Sequence, residues 1–166
     1  MTDIKQIIEN RDFAALMALD EDGVDEILRK LVYDRFCGMP IEALNRDQLD
    51  LFLIERLEDD CQADDLRTQT EDEELFFRTK AAHDALVRFN ALITASALKE
   101  YIDMMPEGTF EKRVMPDWKT WFLREDNDEK IKKLDRIISD YPDGNPAALL
   151  MKYIRSHPDF AKNILT

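Results

Sequence analysis

Apolar residues recur along this chain three and four positions apart, almost from one end to the other. That is the period of an α-helix, and such a pattern cannot lie as a strand, whose faces alternate at every second residue. Ile4, Ile7 and Ile8 open the series, followed by Phe13, Leu16 and Met17 and then by Val24, Ile27, Leu28, Leu31 and Val32. Leu49, Phe52, Leu53 and Leu57 continue it alongside Arg56, and Ile131, Leu134, Ile137 and Ile138 repeat it near the other end. With only 4 glycines and 6 prolines, the chain lacks the turns that an all-β fold needs. The pattern predicts an all-α fold, a single compact domain over residues 1–166 with about seven to nine helices; a chain of this length buries a real core.

Local signals place the breaks. Asp22 is the expected cap of the Val24–Val32 stripe, and Cys37, Gly38, Met39 and Pro40 close it. Asn45 or Asp47 opens the next helix, and the polar tract 58–70 is expected to contain a loop. From residues 71–74 a long helix is expected through Phe77, Ala81, Leu86, Phe89 and Ile93, with Ser96 as a kink or a new start towards Leu98, Ile102 and Met105. Trp118, Trp121 and Phe122 read as buried core, since aromatic side chains dominate cores. Asn145 before Pro146 is a cap followed by proline at the first helical position, and Phe160 and Ile164 after Pro158 mark a last helix.

Charge separates this chain from an ordinary helical protein. It carries 36 Asp and Glu against 23 Lys and Arg, a net charge of −13. Residues 42–74 hold 13 of the acids and only 3 bases, Arg46, Arg56 and Arg67, a net of −10; the rest carries 23 acids and 20 bases, a net of −3. Packing like charges so closely opposes compaction by mutual repulsion. Duplex DNA presents about one negative charge per 1.7 Å of axis, and proteins that read it carry matching cations. An array of carboxylates can occupy the same cations. Glu58, Asp59, Asp60, Asp64, Asp65, Glu71, Asp72, Glu73 and Glu74 are therefore the candidate partner-binding residues, facing a basic protein, itself nucleic-acid-binding. The bland alternative is a solvated acidic loop. The same charge repels nucleic acid and anionic lipid, so neither is an expected direct partner.

Other chemistry finds little footing. Asp20, Glu21, Asp22 and Gly23 resemble the start of a calcium loop, but alignment on Gly23 puts Ala18 and Arg29 where acidic ligands are required. His83 and His157 have no zinc spacing; His83 reads as a partly buried structural residue and His157 as a helix-end residue. Cys37 and Cys61 are far apart and read as reduced thiols of a cytoplasmic protein. There is no glycine-rich phosphate loop, no nucleophile elbow and no apolar run of roughly 18 residues. The first ten residues mix charges with isolated isoleucines, unlike a signal peptide. No catalytic residue, metal or cofactor is expected.

One resemblance bears on the second half. Ala85, Leu86, Val87, Arg88, Phe89, Asn90 and Ala91, running on to Met104, Met105 and Pro106, resemble a helix pair of the acidic, all-helical DNA-mimic protein family. Lys133 to Ile138, with Leu134 and Asp135, and then Tyr153, Ile154, His157 and Phe160, resemble that family's closing pair. The resemblance implies a helical fold and a DNA-mimic role. The family's Asn-Gly-Gly-Phe segment is missing: the corresponding stretch is Glu58, Asp59, Asp60, Cys61, Gln62, Ala63, Asp64, Asp65 and Leu66, without glycine, so no family site residue carries over.

These readings converge on an acidic interaction protein that mimics DNA charge. Two alternatives stand beside it: an immunity-type or counter-defence inhibitor of a toxin or nuclease, and a metal-dependent enzyme using the acidic cluster. A homodimer is compatible with all three.

Overall fold

A computed structural model describes residues 3–63 and 65–166. All regular structure among them is helical, as the apolar period requires. Ten α-helices are formed among the described residues: α1 (Ile4–Asn10), α2 (Phe13–Met17), α3 (Glu21–Arg29), α4 (Arg46–Ala63), α5 (Glu73–Phe77), α6 (Thr79–Arg88), α7 (Leu92–Asp103), α8 (Glu125–Ser139), α9 (Pro146–Ser156) and α10 (Pro158–Leu165). Eight of them run to seven residues or more, within the expected range. π-helical turns at Lys30–Arg35 and Trp118–Phe122 and 3-10 turns at Phe36–Gly38, Ile41–Ala43 and Leu66–Glu71 fill in between.

The helices gather into two units, Met1–Glu55 with Gly144–Thr166, and Arg56–Asp143. In the first unit α3 packs on α9 and α1, and α2 on α9 and α10. Ile27, Leu28, Leu31, Val32, Leu150 and Ile164 are wholly enclosed there. Arg35 donates to the backbone carbonyls of Leu165 and Thr166, at 3.2 and 2.5 Å, fixing the end of α10. In the second unit α7 packs between α6 and α8, with α5 on α6 and on the 3-10 turn that follows α4. Leu66, Phe76, Leu98, Tyr101, Phe122 and Ile131 form its centre.

Helix starts follow side-chain chemistry, in places not where the pattern suggested. The cap of α3 is Asp20, whose carboxylate accepts from the Gly23 N–H at 3.0 Å; Asp22 lies inside the first turn instead. Asn45 and Gln48 cap α4 reciprocally: the Gln48 N–H donates to the Asn45 side chain at 2.9 Å, and the Asn45 N–H to the Gln48 side chain at 3.1 Å. Asn145 caps α9 through the Ala148 N–H at 2.8 Å, with Pro146 at the first helical position as expected.

The long helix expected from residue 71 is three helices. Arg78 leaves helical geometry between α5 and α6, and Asn90 takes φ +60° between α6 and α7, a left-handed conformation that asparagine tolerates better than most residues. Ser96 marks no break, because α7 runs through it. Within the tract 58–70, expected to contain a loop, α4 runs as far as Ala63, and Asp65 is extended before the 3-10 turn.

Candidate functional site

The nine acids chosen from charge density do not form one exposed array. Asp64 lies outside the described residues. Of the others, Asp60 and Asp65 are buried, each 5 % exposed, while Glu58, Asp59 and Glu74 are half-buried. Glu71, Asp72 and Glu73 form the exposed run.

Asp65 is a structural residue. It stands in extended backbone just before the 3-10 turn Leu66–Glu71, and its carboxylate accepts from the Arg67 N–H at 2.8 Å. The guanidinium of Arg67 folds back on the same carboxylate, with Nε at 2.9 and 3.0 Å from its two oxygens, and reaches Asp128 on α8 with another nitrogen. Bidentate pairing of this kind is among the stronger polar contacts. Asp65, followed by Asp128, holds the Arg67 proton more firmly than usual against the opposing effect of burial. Asp128 is held below the ordinary carboxylate range by Lys132 first and by Arg67 next. This three-residue bridge fastens the turn after α4 to α8.

Asp60 is placed differently. It lies on α4, and its nearest cation is Arg56, one turn back at 3.9 Å. Its Oδ2 is buried and accepts no hydrogen bond from the described residues. Burial pushes its pKa up to about 6, against the pull of Arg56 and aided by Asp59, Asp72 and Glu71. The thiol of Cys61 beside it is buried and is pushed far up by burial and then by Asp135, so it does not ionise near neutrality. Cys37 is exposed, and both thiols are free.

The remaining acids are shared between the fold and the solvent. The Tyr141 hydroxyl donates to Glu58. Asp72 caps α5 by accepting from the N–H groups of Glu74 and Leu75, at 3.1 and 3.2 Å. Glu74 is bound by two arginines, Arg113 at 2.7 Å and Arg78 at 2.8 Å, which lower its pKa, Arg113 foremost. Glu71 and Glu73 are exposed and form no ion pair among the described residues. The net −10 counted over 42–74 therefore overstates the free charge, since Arg78 and Arg113 enter from outside that window. Arg78 stands one helical turn beyond Glu74 and was readable from spacing; nothing in the pattern announced Arg113.

The acids do not converge on a metal site: no group of three or more His, Cys, Asp or Glu among the described residues is arranged to hold a cation. His83 is half-buried on α6 with Nδ1 3.0 Å from Asp84, and His157 sits between α9 and α10, stacked on Tyr153 at 4.0 Å. No described helix is long and apolar enough to cross a membrane. The aromatic cluster corrects the expectation of a buried core. Phe122 is buried and Trp121 half-buried, but Trp118 is 45 % exposed.

No family model matches this chain, and no curated protein or solved structure matches it either.

Proposed function

We propose that this chain is a cytoplasmic, non-enzymatic binding protein that uses acidic charge to occupy a basic surface on a nucleic-acid-binding protein. The observation that carries the reading is the concentration of 13 acids against 3 bases in residues 42–74, which ends in the exposed run Glu71, Asp72 and Glu73. Asp72 has its carboxylate anchored by the start of α5, and an anion held in place loses less entropy on binding than a mobile one. The resemblance of the later helices to the acidic DNA-mimic family supports the same reading. Asp60 and Asp65, being buried, do not contact the partner; Glu58, Asp59 and Glu74 are half-buried and contribute less than the exposed run.

The test is capture from cell lysate on the immobilised protein, eluted with a salt gradient and repeated with free duplex DNA as competitor. Contacts made by exposed charge weaken as salt rises. Basic nucleic-acid-binding proteins should elute early, be displaced by DNA and be lost with Glu71→Lys/Glu73→Lys. A single partner that resists high salt and ignores that double variant would overturn the mimic reading in favour of a shape-specific inhibitor.

A further inference from the structure

One stretch of the surface has the opposite character. Residues 112–124 hold four bases, Lys112, Arg113, Lys119 and Arg124, and one acid, Asp117, in a chain whose net charge is −13. The same stretch exposes Val114 (60 %), Trp118 (45 %) and Leu123 (49 %). A large exposed apolar side chain is unremarkable when isolated; several in one short segment point to a contact surface.

The segment is built, not loose. Trp118 and Leu123 stand one π-helical turn apart, closed by the Leu123 N–H donating to the Trp118 carbonyl at 3.0 Å. Beneath them Phe122 is fully buried, with the Trp118 ring 5.5 Å and the Trp121 ring 4.7 Å from its own. Asp117 starts the turn by accepting from the Thr120 N–H at 2.7 Å. Just before the segment, Phe110 stacks on Phe76 at 5.5 Å. Next to it lies a shallow cleft, lined among others by Glu107, Thr109, Lys112, Val114, Met115 and Pro116.

Two of the bases are already committed. Arg113 binds Glu74 and lies over the Phe77 ring at 4.8 Å, and Arg124 pairs with Asp126. Lys112 and Lys119 are exposed and form no ion pair among the described residues.

We infer that residues 112–124 form a docking surface for a polypeptide segment that carries acidic side chains around apolar or aromatic anchors. Its carboxylates meet Lys112 and Lys119, while its anchors cover Val114, Trp118 and Leu123 and fill the neighbouring cleft; buried aromatic anchors ringed by polar contacts are how specific interfaces are held. A nucleic-acid strand fits less well. Asp117 stands between the bases, and Glu111, Glu125 and Asp126 flank them; together they repel an unbroken phosphate backbone, whereas a peptide sets discrete charges between apolar side chains. This surface is independent of the acidic run and survives if that reading fails.

The chain has 2 tryptophans, Trp118 and Trp121, so its tryptophan emission reports on this segment alone. Three tryptophan-free probes are titrated into the full chain: a short peptide alternating Asp or Glu with Leu and Phe, a polyglutamate of equal length, and an oligothymidine. The mixed peptide should shift the emission to the blue and saturate, and Lys112→Glu/Lys119→Glu should weaken it roughly tenfold while circular dichroism stays unchanged. Trp118→Ser should abolish most of the shift. No response up to about 1 mM peptide, the weak end of specific recognition, overturns the inference. So does an equal response to polyglutamate or oligothymidine, which assigns a general polyanion surface. An emission shift that follows the protein's own concentration without probe also overturns it, and assigns the surface to a second copy of this chain.

Discussion

Residues 58–74 and 112–124 make an instructive pair, because each turns out closer to what the other looked like in sequence. The first reads as a display of charge, yet Asp60 and Asp65 are buried and Glu58, Asp72 and Glu74 are bound within the fold. The second reads as aromatic core, yet it keeps Phe122 inside and sets Trp118, Val114 and Leu123 outside. Residue type states what a side chain prefers. Whether it is satisfied depends on chain that arrives from elsewhere: Asp128 reaches Arg67 across 61 positions, and Arg113 reaches Glu74 across 39.

The comparison can be broken most forcefully at Arg67. Arg67→Ala leaves Asp65 buried without its cation, and removing one partner of a buried pair typically costs about 3–5 kcal/mol. Urea unfolding followed by circular dichroism reads this; a loss below about 1 kcal/mol, the scale of an exposed pair, would restore Asp65 to the exposed display.

The aromatic segment is tested by two neighbours. Phe122→Ala empties a fully buried site and should cost about 3–5 kcal/mol, whereas Trp118→Ala, half in solvent already, should cost about 1 kcal/mol or less. Equal losses would mean that Trp118 is core after all.

Asp60 separates the two buried acids by pH. Its pKa is raised from 3.8 to about 6, so folding is not penalised by its charge below pH 3.8, and the penalty grows as pH rises and is complete above 6. Roughly two pKa units correspond to up to about 3 kcal/mol. Asp60→Asn should therefore stabilise the chain by as much as that at pH 8 and by almost nothing at pH 3.5, measured by urea unfolding at both values. An equal effect at the two pH values would mean that Asp60 is not desolvated.

The smallest effect belongs to the exposed run. Glu71→Gln/Glu73→Gln should move stability by no more than about 0.5 kcal/mol, and a larger loss would show these acids to be structural as well.

The helical class and several helix ends were legible because they rest on local rules. The spacing of Val24, Ile27, Leu28 and Leu31 delivers an enclosed stripe, and Asn145 with Pro146 starts a helix wherever the rest of the chain lies. The breaks at Arg78 and Asn90 escaped notice because apolar spacing runs across them, and no glycine or proline marks the turn. The candidate acids were legible as a count only. Spacing along α4 pairs Asp60 with Arg56, but it does not reveal that Oδ2 is buried without a hydrogen-bond partner among the described residues. That depends on packing, which a helical pattern in one dimension does not encode.

The loop between α8 and α9 reaches across the second unit to the start of α7. Asp143 accepts from the Thr94 N–H at 2.7 Å and from the Thr94 hydroxyl at 3.0 Å, and in the same loop Tyr141, at φ +51°, donates to Glu58 on α4. The Thr94 amide proton belongs to the first turn of α7, where no carbonyl of its own helix is available, so a carboxylate 49 positions further along the chain is what shields it from exchange with water. Its deuterium uptake is thus a clock for the opening of the 141–144 loop, and Asp143→Asn should speed that single amide while the interior of α7 keeps its own slow rate.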